Sequence, residues 1–514
     1  MDLLVVGLDG LSTNMLDRFG VEPAFISQTR TEGVAGDLTS VDTPTTLPAW
    51  TSFATGKDPG THGLTNMIRQ SPDYEVGPFE TNTSEAAIYD LIDDAVFVNL
   101  PASVGREPAA EGTHLVSAML ARDKADAVPE YMQSLSTYEE YILDHDKSLK
   151  SRPDRYFDHV CEITRRRRDF AVEAFETYEP RVGFVLFSTP DWAGHLLSNF
   201  SNDDERAGYY RQLLEVVDDC AADVAGMADN VVLMSDHGFE KKTHNVHLNE
   251  WLRDRGYLTE QSGDAPTGAA STVRVATAVA ARSDALYEAM RRVYNYIIGT
   301  RVGQGLQEAA KPDVDYAASR AWQLRYGCVY INDDRFDHPS VDDPDALARE
   351  LRDEIAEITG PDGEPAFRDV LLGEEAYADP GPMAPDVVAR PAPGRFPTML
   401  DSPTGDYVSR TNNYNHRYRG IFAATGPAFE AETTVESMSI VDVLPTVLHA
   451  LGDPLPDDLD GSVRREALAT AVDPRSEPAD TFPGPRIAGE ADAPDQDERD
   501  DAVEARLQDL GYMN

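Results

Sequence analysis

Asp236 and His237 follow directly on the apolar run Val231-Val232-Leu233-Met234, inside the pentapeptide Ser235-Asp236-His237-Gly238-Phe239. A run this short predicts a strand buried on both faces of a parallel sheet. In an ideal strand, adjacent side chains point to opposite faces, so these two could not share a target. Gly238 predicts that the chain is already turning there, which lets them converge. A carboxylate and an imidazole at the carboxyl end of a buried strand suit a divalent cation, and open α/β sheets place their sites at that edge. On their own, the same residues also fit a helix-capping Asp beside a turn His.

Their companions favour the cation. Asp9 leaves a first apolar strand in Gly7-Leu8-Asp9-Gly10, again at a carboxyl end. Asp191 and His195, in Asp191-Trp192-Ala193-Gly194-His195, follow a third apolar run, Gly183 to Phe187. Four residues apart on a helical turn, they share a face and can grip one ion. His416 precedes a returning strand in Asn415-His416-Arg417-Tyr418-Arg419-Gly420. Three carboxylates and three imidazoles at strand ends suit two zinc-like ions with open positions. Such ions, about 3.5–4 Å apart, clamp the attacking and leaving oxygens of a phosphoryl transfer. Zinc is the first expectation from the ligand types, and the carboxylates also admit manganese.

A nucleophile is offered by Thr43-Pro44-Thr45-Thr46-Leu47-Pro48-Ala49-Trp50. Pro44 and Pro48 restrict the backbone on both sides. They place Thr46 just ahead of a helix beginning around Pro48, whose unpaired N–H groups could meet a phosphate oxygen. A threonine hydroxyl is a weak nucleophile until a base or metal lowers its pKa, so Thr46 is read as both nucleophile and metal ligand. Thr45 is its close competitor, and either could instead be an N-cap.

Together with Ala54-Thr55-Gly56 and Pro59-Gly60-Thr61-His62-Gly63, these motifs resemble the alkaline phosphatase superfamily. Within it the chain is similar to the type I phosphodiesterase/nucleotide pyrophosphatase group, over roughly residues 1–255 and 410–465. The resemblance implies that Thr46 is phosphorylated in turnover and that Asp9, Asp236 and His237 hold the ion that activates it. Asp191, His195 and His416 would hold the ion on the leaving-group side. It further implies cleavage of a phosphodiester or pyrophosphate in a small-molecule substrate by double displacement. Asn66 is the candidate phosphate contact, one position short of the family's Asn in an ungapped count. The aromatic residues that stack a nucleobase in those enzymes have no counterpart here.

Neighbouring reactions fit less well. Sulfatases of this superfamily have Cys or Ser, then Pro two and Arg four residues on, where this chain has Thr46, Pro48 and Trp50. Phosphoglycerate mutases and alkaline phosphatases use Ser, and the phosphoethanolamine transferases that use Thr carry membrane helices. A phosphomonoesterase or phosphonate hydrolase of the same superfamily is the alternative. A degenerate, non-enzymatic metal scaffold predicts a lost ligand, and none is lost. His244 and His247 are expected to be loop or supporting residues, and His62 a packing residue.

Strands alternating with helices must position these groups: Leu3–Leu8, Ala95–Asn99, Leu115–Ala121, Gly183–Phe187 and Val231–Met234 as strands, Arg155–Tyr178 and Tyr209–Met227 as helices. The fold class expected is α/β, a mostly parallel sheet sandwiched between helices, with an inserted cap. The core spans 1–256 and 411–470, with a late strand at Gly420–Ala424 and a helix at Ser439–Leu451. The cap, 257–410, has helices at Ser283–Ile298 and Pro344–Thr359. The latter lays Leu347, Leu351, Ile355 and Ile358 on one face. Residues 471–500, rich in Pro and acid, are expected to be a disordered linker, and 501–514 a terminal helix.

The 514 residues carry a formal charge of −46, and 38 of the 45 basic residues are Arg. Such a surface repels itself in dilute buffer. At molar salt the Debye length falls to about 3 Å and the repulsion is screened, which predicts a halophilic protein from a salt-loaded cytosol. The charge speaks against a basic nucleic-acid-binding surface. Met1-Asp2 runs straight into an apolar strand too short for a signal peptide, and no stretch approaches membrane-spanning length. Cys161, Cys220 and Cys328 are widely spaced, without CxxC pairing, which suits small buried residues in a reducing compartment. The expectation is a soluble cytoplasmic enzyme that needs no membrane.

Overall fold

Every residue of Leu3–Leu8 (β1) is buried, because this strand lies in the middle of an eight-stranded sheet. The other strands are Val34–Thr39 (β2), Ala95–Leu100 (β3), His114–Ser117 (β4), Val182–Phe187 (β5), Asn230–Met234 (β6), Arg419–Thr425 (β7) and Thr433–Ser439 (β8). Their spatial order is β8-β2-β7-β6-β1-β5-β3-β4. All neighbours pair in parallel except at β7, which runs antiparallel to both β6 and β2. This is the mostly parallel α/β sheet that the alternating strand and helix pattern predicts. The computed structural model describes residues 1–78, 83–200, 202–260, 314–399, 402, 406–470 and 472–487.

Alternate β1 side chains serve two cores. Leu4, Val6 and Leu8 pack with Phe170, Leu214 and Phe187 on one face, where the helices Pro153–Tyr178 and Asp203–Ala225 lie. Leu3 and Val5 pack with Trp50, Phe53, Phe184 and Leu444 on the other, under the helices Thr46–Thr55 and Val443–Leu451. Period-2 alternation in a strand with no polar residue thus supplies both faces of the sandwich. The expected strand Leu115–Ala121 is shorter than predicted. It ends at Ser117, and Met119 and Leu120 have φ of 47° and 65°, a left-handed backbone that cannot continue a ladder.

A second, four-stranded antiparallel sheet is built from Ala321–Gln323, Cys328–Ile331, Val387–Pro391 and Phe367–Leu372. The helix Pro344–Ala356 covers it with Leu347, Leu351 and Ile355. The helix Leu248–Asp254 sends Trp251 and Leu252 into this same core, so packing sides it with the second sheet although it precedes residue 257. The expected helix Ser283–Ile298 lies outside the described residues, as do 488–500 and the terminal helix at 501–514. Part of the stretch predicted to be a disordered linker is seated on the body. Ser476–Glu477 pairs with Leu455–Pro456, and Arg486–Ile487 with Arg106–Glu107. Backbone pairing between two such short segments needs no apolar side chain, which is why composition misses it.

Candidate metal centre and nucleophile

The carboxyl edge of the main sheet gathers the chemistry. Asp9 is the residue after β1, and Asp236 lies two beyond β6, the strand paired to β1 through Gly7 and Met234. Their carboxylates therefore start from adjacent strand ends. The helix Thr189–Leu196, which carries Asp191 and His195, opens just after β5, whose Phe187 pairs with Leu8 on the other side of β1. His416 comes from the short strand Tyr414–Arg417, where it pairs with Phe239 of Gly238–Lys241. The chain then enters β7. An antiparallel strand begins where its parallel neighbours end, so the entry to β7 delivers His416 to the same edge.

Two glycines make the approach possible. Gly10 has φ +72°, and a Cβ there would lie 3.1 Å from Asp191 Cα and from the Phe239 ring. Its N–H donates to Asp236 Oδ1 at 3.1 Å. A Cβ at Gly238 would lie 2.1 Å from the Arg419 carbonyl oxygen. Ser235 ties the Leu11 segment to β7: its hydroxyl donates to the Leu11 carbonyl and accepts from Ile421 N–H, both at 2.7 Å.

The six residues fall into two groups of three, Asp9–Asp236–His237 and Asp191–His195–His416, each with one donor atom per residue within 4.8 Å of the others. In the first, His237 Nε2 is 3.6 Å from Asp9 Oδ1 and 3.3 Å from Asp236 Oδ2. In the second, Asp191 Oδ1 is 3.2 Å from His416 Nε2 and 3.6 Å from His195 Nε2. The two imidazoles are 3.2 Å apart. His416 Nδ1 faces the Pro44 carbonyl at 2.9 Å. As donor there, it leaves the Nε2 lone pair for the group. Phe239 wedges its ring edge-on against both His195 and His416, at 4.9 and 5.0 Å.

The electrostatics suit a cation. Among the described residues, Asp9 Oδ1, Asp191 Oδ1, Asp236 Oδ2 and His237 Nε2 are buried without a hydrogen-bond partner, which is costly unless a cation takes their lone pairs. Burial, then the Asp236 and Asp191 charges, pushes the Asp9 carboxyl well above its ordinary range. Burial, with Asp191 adding to it, pushes Asp236 up to about 8, against the pull of the Gly10 N–H. Burial holds His195 and His416 down at about 3 and His237 well below its ordinary value. The imidazoles are therefore neutral ligands at pH 7, and protons on the carboxyls are what a divalent ion would displace. The residues present fit two such ions.

Thr46 is the first residue of its helix, which begins two residues earlier than the sequence predicts, with Thr45 at the N-cap position. The Thr45 hydroxyl donates instead to the Thr43 carbonyl at 3.3 Å. Thr51 and Thr55 also spend their hydroxyls on helix carbonyls. Among the described residues, Thr46, 5 % exposed, has no hydrogen bond through its hydroxyl. Asn66 is fully buried, with its Oδ1 accepting from Met67 N–H at 2.8 Å and its Nδ2 without a partner among the described residues. It belongs to neither donor group. His247 bonds Ser409 at 2.7 Å, His244 bonds Thr243 at 3.0 Å, and His62 bonds Ser52 at 2.9 Å, so all three are engaged away from the two groups. Tyr326, whose ring stacks 6.3 Å from that of His416, and Pro44, whose carbonyl faces His416 Nδ1, are not marked in the sequence. Neither carries a local signal, since both contacts join segments distant in the chain.

A mostly parallel sheet with two carboxylate–imidazole groups at its carboxyl edge defines an alkaline phosphatase-like hydrolase of phosphoric esters. The type I phosphodiesterase/nucleotide pyrophosphatase family matches residues 3–420, and the chain belongs to that family. No curated protein matches it in sequence. Among solved structures, human ectonucleotide pyrophosphatase/phosphodiesterase 5 superposes with a TM-score of 0.50 at 14 % identity, over 91 % of this chain and 100 % of that one. The murine protein, inactive through a threonine-to-alanine change and in complex with AMP, gives 0.50 at 15 %, over 91 % and 100 %. Phosphonoacetate hydrolase from Sinorhizobium meliloti 1021, in complex with phosphonoformate, gives 0.54 at 14 %, over 88 % and 95 %. These likenesses establish the fold. Among the described residues, no helix is long and apolar enough to cross a membrane.

Proposed function

We propose that this chain cleaves a phosphodiester or pyrophosphate bond of a small molecule through a phosphothreonine at Thr46, with two divalent ions. The observation that carries this reading is the pair of buried donor groups at one sheet edge. Asp9, Asp236 and His237 would hold one ion, and Asp191, His195 and His416 the other. When bound, such ions neutralise phosphoryl charge and lower the pKa of the attacking hydroxyl and of water. Thr46 Oγ1 attacks phosphorus in line, one ester oxygen leaves on the opposite side with a proton, and water then cleaves the Thr46–phosphorus bond, releasing the remainder as a phosphomonoester and restoring the Thr46 hydroxyl. The N-terminal turn of Thr46–Thr55 offers backbone N–H groups to a phosphoryl oxygen, and the unpartnered Asn66 Nδ2 is the side-chain donor assigned to it. The inactive threonine-to-alanine form of the murine protein is consistent with a threonine nucleophile.

The ligand set favours zinc and admits manganese. The charge of −46 and the three buried, unbridged cysteines support a salt-loaded, reducing cytosol as the working compartment. The test is a panel on the purified chain in molar salt: bis- and mono-nitrophenyl phosphate, a pyrophosphate, a phosphonate ester and a sulfate ester, with Zn²⁺ or Mn²⁺. Diester or pyrophosphate hydrolysis abolished by chelation and restored by metal is expected, with the sulfate untouched. A metal-loaded protein that turns over only the monoester or only the phosphonate would replace this reading by its alternative.

A further inference from the structure

The segment that leads into Thr46 is gripped by the second sheet. Arg390, on Val387–Pro391, donates from Nε and Nη2 to both carboxylate oxygens of Asp42, at 2.7 and 2.6 Å. This is the planar, two-bond pairing that fixes direction as well as distance. One residue on, the Thr43 hydroxyl meets the Cys328 thiol at 3.3 Å. Cys328 opens the strand Cys328–Ile331 and pairs with Val388, so the two grips come from adjacent strands of one rigid element. Asp42, Thr43 and Cys328 are all buried.

What the grips hold is strained. Thr43 has φ +63°, a left-handed backbone that is a genuine outlier for a β-branched residue and persists only where the surroundings over-determine it. The strained residue then organises the next two. Its carbonyl accepts from the Thr45 N–H at 2.7 Å and from the Thr45 hydroxyl. The Pro44 carbonyl between them faces His416 Nδ1. The helix begins at the following residue, Thr46.

We propose that Arg390 and Cys328 are positioning residues for the nucleophile: through Asp42 and Thr43 they hold residues 42–45 in the conformation that aims Thr46 at the two donor groups. The proposal rests on Thr46 being the nucleophile. It makes the second sheet part of the catalytic geometry. A misplacement of about 1 Å at a reacting group is enough to cost on the order of 100-fold in rate.

The test uses the full-length, metal-loaded protein and bis-nitrophenyl phosphate. Arg390→Met, Asp42→Asn and the double variant are compared with the parent for kcat, KM, thermal midpoint and metal content, with Thr46→Ala alongside. Labelling of Cys328 by a thiol reagent is located by mass spectrometry. The expected result is a kcat lowered tenfold or more with KM within about threefold, two ions still bound, and Cys328 labelled faster. The double variant is no slower than the slower single, because both remove one interaction. Cys328→Ser, which keeps a hydroxyl for Thr43, retains more kcat than Cys328→Ala. Should Arg390→Met not fold, the isosteric Asp42→Asn carries the comparison. Wild-type kcat in folded Asp42→Asn, or a loss confined to KM, overturns the proposal while Thr46→Ala remains inactive. Full turnover by Thr46→Ala overturns the nucleophile and the proposal together.

Discussion

The imidazoles of His237 and His416 stack face to face, with ring centroids 3.9 Å apart and planes 21° from parallel. Each belongs to a different donor group, so this contact joins the two groups directly. His237 is carried by the turn after β6, and His416 by the strand paired to the continuation of that turn through Phe239.

His416→Ala removes a ligand from one group and leaves the other complete. Loss of a supporting partner of a metal ligand already costs about 10- to 100-fold in affinity, so loss of the ligand itself should cost more. Metal analysis after gel filtration is expected to fall from two ions per chain to one. Two tightly held ions in the variant would take His416 out of the site.

Thr46→Ala should bind two ions and melt close to the parent, since among the described residues the hydroxyl has no hydrogen bond to lose. Its turnover should fall by at least about 1,000-fold, a barrier increase of about 4 kcal/mol. Rapid-quench phosphopeptide mapping should place the label on Thr46 in the parent and on nothing in the variant. Label on Thr45 would move the nucleophile by one residue.

The part of this site that sequence could disclose is the part written in local spacing. Asp236-His237 emerging from an apolar run and Asp191-x3-His195 on one helical turn depend on neighbours within five residues, and both fell where expected. Six of the eight strands of the main sheet are legible for the same reason, with errors at their ends, whereas Val34–Thr39 and Thr433–Ser439, only partly buried and interrupted by polar residues, carry no such apolar run. Met119 and Leu120 turn left-handed with no glycine to announce it, and Thr46–Thr55 starts ahead of Pro48. Contacts between distant segments left no trace: Arg390 on Asp42, Tyr326 over His416, and the pairing of residues 476–477 and 486–487 to the body. Each depends on a partner chosen by the folded topology.

Gly10→Ala tests how tightly the Asp9 loop is built. A left-handed φ costs an alanine about 1–2 kcal/mol, and its Cβ would press on the Asp191 backbone and the Phe239 ring. The strain falls between the two donor groups and at the N–H that holds Asp236. The variant should therefore lose stability by about 1–3 kcal/mol and bind metal more weakly in both groups. Calorimetry with and without Zn²⁺ measures both effects. Unaltered metal affinity would mean that the loop relaxes without disturbing the ligands.

Chelated protein should respond to pH with two opposite signs. The imidazoles of His195 and His416 titrate at about 3 when folded, against about 6.5 when unfolded. The unfolded chain therefore binds more protons in that interval, and stability rises with pH up to about 6.5. Asp236 behaves in reverse. It titrates at about 8 when folded and about 3.9 when unfolded, so the folded chain holds the extra proton and stability falls as pH climbs towards 8. Asp9, raised in the same direction, adds to the fall. Above pH 6.5 the imidazole contribution is complete and the carboxyl contribution stands alone. The thermal midpoint in excess chelator, at constant molar salt, should therefore decline between pH 6.5 and 8. With Zn²⁺ or Mn²⁺ present the decline should shrink, because the cations take the place of the carboxyl protons, and the metal-induced gain in midpoint should grow over the same window. Asp236→Asn, which has no proton to lose, should flatten the decline in chelator. A metal-induced gain that is constant from pH 6.5 to 8 would show that no proton leaves these carboxyls on binding.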